Sequence, residues 1–253
     1  MTLQMPDHGF FVGYFRKVPP AIRRFALVFG AFFLTGLVGA SLALALSEKR
    51  PGSGGYVDEL RGGRVAGFVE MRPYPILRVP GQDGGAPRAI MLSGQGKTGV
   101  AGSAAPLSGQ WAEVSGIFVK RGDLDMLLVG GHDGLRAAPQ PIDAAQPMTA
   151  VPLGRWRLTG EICDGKCFAG AMRPGSGLAH KACANLCITG GVPPVFVTTS
   201  PIDGRSFLMM ADAEGGPLPK ALLDQTAVLI ELEGDVERRD DILVFRVDVS
   251  QQR

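Results

Sequence analysis

All four cysteines of the chain, Cys163, Cys167, Cys183 and Cys187, fall between positions 163 and 187, and His180 lies among them. The later pair sits in Ala179-His180-Lys181-Ala182-Cys183-Ala184-Asn185-Leu186-Cys187, followed by Gly190-Gly191 and Pro193-Pro194. Gly at the end and Pro just beyond are the stop signals of a helix. In that helix His180, Cys183 and Cys187 fall at i, i+3 and i+7, so one face presents an imidazole and two thiols. Cys163 and Cys167 form a second Cys-x-x-x-Cys pair upstream.

Three chemistries compete for this set. In an oxidising compartment an even number of cysteines is a disulfide framework. Two cysteines four apart on one helix are awkward to join, so bridges would run from the Cys163/Cys167 pair to the helix. Alternatively, soft thiolates with an imidazole suit copper(I) or zinc, and two pairs separated by 15 residues could wrap one ion. The third chemistry is disulfide exchange by a low-pKa cysteine near a helix start. Neither a Cys-x-x-Cys motif nor a thioredoxin-like alternation of strands and helices supports it. No Cys-x-x-Cys-His occurs, which excludes covalent c-type haem.

The elements that must position this block repeat. Gly116 to Val129 reads as two alternating strands around a polar turn, and Gly234 to Val247 has the same layout. Strands precede each, at Trp111 to Val114 and at Ala227 to Leu232, and further upstream at Arg88 to Leu92 and at Arg205 to Met209. Arg88 to Gly116 spans 28 positions and Arg205 to Gly234 spans 29, which argues for duplication of a domain. The first strands correspond as well, Gly63 to Val69 against Gly154 to Ile162. Gly67 to Arg88 is 21 positions but Gly160 to Arg205 is 45, so the second copy carries an insertion, placed at about 163–191, that holds every cysteine. The domains expected are 63–148 and 149–253. Each is a five-strand unit with a Gly in its first strand and a closing hairpin, and so resembles the OB-fold barrel.

Ahead of them, 1–24 is a basic tail, 25–46 an apolar run and 47–62 a polar linker. Phe25 to Leu46 reaches roughly 33 Å as a helix, enough for a hydrocarbon core of about 30 Å. Arg16, Lys17, Arg23 and Arg24 before it predict a cytoplasmic N-terminus and an exported C-terminal region, whereas Glu48-Lys49-Arg50 after it is mixed in sign. Ala43-Leu44-Ala45 resembles a signal-peptidase site, but the apolar core is longer than a signal peptide's, so an uncleaved signal-anchor is expected. Gly36 and Ala40 have the spacing that lets a second membrane helix approach.

Composition narrows the function classes. A formal net charge of +2, with no basic stripe outside the membrane flank, argues against nucleic acid. With 36 Gly, 19 Pro and 7% aromatics, the chain suits short strands and turns. Gly94-Gln95-Gly96-Lys97-Thr98 echoes a phosphate loop without its spacing. Asp240-Asp241 reads as a solvated turn, Trp111 and Trp156 as core, and His8 and His132 as surface. No Ser-His-Asp arrangement can be drawn, and no catalytic residue is expected.

Two resemblances add to this. The block Lys-Cys-Phe…Pro-Gly-x-Gly-x-x-His-Lys-x-Cys-Ala-x-x-Cys-Ile-x-Gly-Gly-x-Pro-Pro is similar to one in uncharacterised membrane-associated bacterial proteins found near redox enzymes. An anchor followed by an OB-like barrel resembles the membrane-tethered haem chaperones of cytochrome c maturation. Their haem-attaching His and nearby Tyr have no match here, so that function does not carry over. The anchor and its basic flank lead to the expectation of a single-pass protein of the bacterial inner membrane with periplasmic domains, and the one elaborated loop, which carries every cysteine, to that of a non-enzymatic accessory or assembly subunit of a membrane-bound or periplasmic redox complex. The alternative is a copper- or zinc-binding or thiol-redox protein that uses Cys163, Cys167, Cys183, Cys187 and His180 directly.

Overall fold

The computed structural model describes residues 18–47, 52–81, 85–139 and 150–249. Arg16 and Lys17, the flank at 48–50, His8 and the junction expected at 148/149 lie outside them. The chain separates into two units, Met1–Arg50 and Pro51–Arg253.

In the first unit, helix α1 spans Pro20–Ser47. It begins five residues before the apolar run, because Pro is pre-organised for a first helical turn and Ala21, Arg23 and Arg24 are good helix formers. The stretch Pro20–Leu46 is long and apolar enough to cross a membrane, and its most apolar window is not buried within the protein. Phe25, Phe29 and Phe33 stack at i, i+4 spacing along one side, with ring centroids 5.8 and 6.4 Å apart.

The second unit is mainly β. Its first half contributes β1 (Gly55–Val57), β2 (Val65–Glu70), β3 (Ile76–Val79), β4 (Arg88–Gly94), short helix α2 (Ala101–Ala104), β5 (Trp111–Val114), β6 (Gly116–Arg121), β7 (Leu124–Val129) and β8 (Leu135–Ala137). These strands form one eight-stranded sheet in the order β1-β6-β7-β4-β3-β2-β5-β8. The second half contributes β9 (Ala150–Asp164), helix α3 (Lys181–Thr189), β10 (Pro194–Ile202), β11 (Arg205–Asp212), β12 (Leu229–Arg239) and β13 (Ile242–Val247). Its strands close into a barrel, β10-β11-β13-β12-β9.

Some pairings recur between the halves, although the first half is an eight-stranded sheet and only the second closes into a five-stranded barrel. In the first half β4 pairs in parallel with β7, setting Leu92 against Leu127; in the second β11 pairs in parallel with β13, setting Leu208 against Leu243. Both closing hairpins turn in two residues, Gly122-Asp123 and Asp240-Asp241, with φ of 56° at Gly122 and 51° at Asp240. That left-handed first position matches hairpin twist. The strands expected at 227–232 and 234–239 are one strand, β12, whereas in the first half the same stretch breaks at Ser115 into β5 and β6. Four strands were not expected: β1, which lies in the stretch read as a polar linker, β3, β8 and β10. β3 is buried along nearly its whole length and shows no alternation, and β10 opens on Pro193-Pro194, which reads as a helix stop.

The largest apolar cluster draws on both halves, with Tyr74, Ile76, Met91 and Met126 from the first and Cys163, Val195, Phe207 and Val244 from the second. Within the barrel Phe196 and Phe245 meet at 5.5 Å and 54°, a geometry that contributes roughly 1 kcal/mol beyond burial. Two expectations fail here. Trp111 is core at 7% exposure, but Trp156 is 38% exposed with its indole N–H donated to the Leu153 carbonyl at 2.9 Å. Asp240-Asp241 is not a solvated turn. Asp240 receives both the Nε and the Nη2 of buried Arg78, the latter at 2.9 Å, and Asp241 receives the Ala89 N–H at 2.6 Å. The second hairpin tip is thus bonded to the first half's sheet.

Candidate metal centre

The insertion occupies the connection between β9 and β10, residues 165–193, where the first half has only 71–75 between β2 and β3. Cys163 and Asp164 are the last two residues of β9. Cys167 opens a π-turn (Cys167–Ala171), a short 3-10 turn (Leu178–His180) follows, and α3 carries Cys183 and Cys187. Phe168 anchors the turn, edge-on to Phe207 at 5.6 Å and beneath the Arg121 guanidinium at 4.2 Å.

These turns bring most of the expected site together. Cys167, His180 and Cys183 place one ligand atom each within 4.8 Å of one another, and so do Asp164, Cys167 and Cys187. Cys167, Cys187 and His180 are buried at 1–3% exposure, while Cys183 is partly exposed. Cys163 belongs to neither group. Neighbours on a strand point to opposite faces, so Asp164 enters the cluster and Cys163 turns away. Its thiol instead donates to Glu161 Oε1 at 3.3 Å, and that carboxylate also receives the Gly177 N–H at 2.6 Å.

Asp164 holds the cluster in register. Fully buried, it accepts the Cys167 N–H on Oδ1 at 2.9 Å and meets His180 Nε2 through Oδ2 at 2.9 Å. With the carboxylate as acceptor, Nε2 is the donor of this bond, and Nδ1 is the ring nitrogen that Asp164 does not engage. Sequence reasoning missed this residue because a lone Asp beside Cys163 gives no signal.

It missed two lysines for the same reason. Lys97 Nζ donates to Cys183 Sγ at 3.1 Å, and Lys166, 4% exposed, donates its ammonium to the Gly96 carbonyl. The loop that echoes a phosphate-binding motif therefore lies against the thiols. Close approach is possible because α3 ends in glycine: a Cβ at Gly190 would collide with the Lys97 carbonyl. The Gly99 N–H donates to the Gly190 carbonyl at 2.7 Å.

The thiols perturb one another. Cys167 donates to the Cys187 sulfur, which lowers the Cys187 pKa to about 7 against burial and with help from Lys166, and the same contact together with burial raises Cys167. Burial, with Glu161 second, pushes Cys163 well up. All four are free thiols. Because the Cys167 and Cys187 sulfurs lie within 4.8 Å of one another and both are buried, stoichiometric oxidation of the metal-free chain is expected to join these two first. Peptide mapping of the oxidised protein checks this, and a first bridge through Cys163 would contradict it.

A concavity of 480 Å³ lies elsewhere, lined by Tyr74, Pro75, Ile188, Leu218 and Leu223 among others. Its tyrosine hydroxyl already receives the Leu218 N–H at 2.9 Å, and its lining is largely apolar. His132 is fully exposed and distant in role from any of this. Comparison with known protein families, with curated proteins and with solved structures returned no match.

Proposed function

We propose that the chain is a membrane-anchored, metal-handling accessory protein in which Cys167, Cys183, Cys187 and His180 bind one copper or zinc ion. The observation that carries this reading is the convergence of two ligand triads on Cys167, one with His180 and Cys183 and one with Asp164 and Cys187, the ligand atoms within each triad lying within 4.8 Å of one another. Tetrahedral coordination with bonds of about 2.3 Å would set sulfurs about 3.8 Å apart, a contraction of the spacing found here. Asp164 on His180 Nε2 supplies the carboxylate–histidine relay that fixes a ligand ring, which would leave Nδ1 as the nitrogen to bind the ion. Of the earlier readings this is the direct use of the cluster. The reading retains four ligands of the expected five and assigns Cys163 to packing.

The remaining parts of the reading rest on the sequence and the fold. The apolar helix serves as an uncleaved anchor in the bacterial inner membrane, and the basic residues before it favour a cytoplasmic N-terminus with residues 51–253 in the periplasm. The matching strand orders, with β5 and β6 separated only by Ser115, support two OB-like barrels in tandem. No catalytic group is assigned, and the partner is a membrane-bound or periplasmic redox complex that the insertion contacts or supplies with metal.

The test is metal content and thiol state of the intact chain, purified in detergent under reducing conditions. One copper or zinc ion per chain with four free thiols on removal of the metal is expected. Oxidised sulfurs with no metal would refute the reading and restore the disulfide framework. Asp164→Asn is expected to weaken binding by roughly 10- to 100-fold, the usual cost of losing such a supporting carboxylate, measured by chelator competition.

A further inference from the structure

The sulfurs do not stop at the buried group. Met172 is 44% exposed, and its Sδ lies 3.6 Å from Cys183 Sγ. Cys183 is the partly exposed thiol of the cluster, and behind it Cys167, Cys187 and His180 are buried. Sulfur ligands thus run from solvent to the interior in order of decreasing exposure.

Charge does not choose the ion. With three thiolates, Asp164, Lys97 and Lys166 the group sums to −2, which a divalent ion neutralises; with two thiolates and one thiol it sums to −1, which a monovalent ion neutralises. The thioether does choose. Thiolate with thioether is a copper(I) donor set, whereas zinc sites use thiolate, imidazole and carboxylate. A zinc site would gain nothing from a methionine at its mouth.

We infer that the centre takes copper(I), and that Met172 receives the ion at the surface and passes it to Cys183 for capture by Cys167, Cys187 and His180. This rests on the metal-binding reading above and adds the ion and its route. In the transfer the copper–thioether bond breaks as the copper–Cys183 bond forms, the Cys183 proton leaves to solvent, and copper stays monovalent throughout. Lys97 releases the Cys183 sulfur as the metal arrives. Its side chain is at the surface and its backbone, against Gly190, stays in place.

The experiment loads the reduced, metal-free, full-length chain in detergent from a copper(I)–bicinchoninate complex, following chelator decolourisation by stopped flow. Met172→Leu keeps the size of an exposed side chain and removes only its sulfur. It is expected to load roughly tenfold more slowly, the effect of one lost favourable contact on the path, with equilibrium affinity unchanged within about twofold. Zinc loading from a dye complex should be equally fast in both proteins. Copper loading at the wild-type rate in the variant, or zinc held against copper(I) in direct competition, overturns this inference and leaves the metal-binding reading standing. Uptake of neither ion overturns both.

Discussion

Cys167→Ala is expected to weaken metal binding by two to three decades, while Cys163→Ala leaves it unchanged. Four-ligand thiolate sites bind with about 10–16 kcal/mol, so one ligand of four accounts for roughly 3–4 kcal/mol. Cys167 belongs to both ligand triads, with His180 and Cys183 in one and with Asp164 and Cys187 in the other. No replacement ligand stands behind it, because Asp164 already spends both oxygens on Cys167 N and His180. Cys163 is equally buried, at 1%, but lies on the other face of β9. The pair therefore separates ligation from packing at matched burial. Chelator competition gives the affinities, and equal losses in the two variants would contradict the assignment.

The second large effect is on stability. Asp240→Ala is expected to cost about 3–5 kcal/mol, because it strips the carboxylate from a guanidinium that is 5% exposed. For a chain of this size that lowers Tm by roughly 10 °C or more. The comparison is Asp235→Ala, whose carboxylate is half exposed and 4.0 Å from Arg246, and which should shift stability by less than about 0.5 kcal/mol. Thermal unfolding of the two variants checks this. If Asp240→Ala behaved like Asp235→Ala, the bonded contact between the second hairpin tip and the first half's sheet would not be a stabilising one. Because that contact joins residues 162 positions apart, its loss should also loosen the shared core around Met91 and Val244.

How much of this was legible in the sequence follows from range. The two closing hairpins are legible because their signals are local: alternating apolar residues and two-residue polar turns. The insertion is legible because one copy's spacing exposes the other's excess. β3 is not, since a strand buried along both faces loses its period, and neither is Arg78, whose partner lies in the other half. Within the site, His180 and Cys183 fall in one triad and can be grouped from their three-residue spacing alone, whereas Cys187 falls in the other triad with Asp164. Asp164 cannot, because strand parity separates it from Cys163 only once the strand is known to run through both. Lys97 cannot either, since it reaches Cys183 from 86 positions away through a loop whose own motif points to phosphate. The tip of Asp240-Asp241 misleads for the opposite reason: its local chemistry is that of a turn, and its burial comes from a distant sheet.

X-ray absorption at the metal edge of the intact, reduced chain tests the central claim most directly. The account predicts one ion per chain with a sulfur shell at about 2.3 Å and one nitrogen at about 2.0 Å, the sulfur shell diminished in Cys167→Ala and intact in Cys163→Ala. A spectrum of oxygen and nitrogen ligands alone, or a chain with its four cysteines paired and no metal, would contradict it.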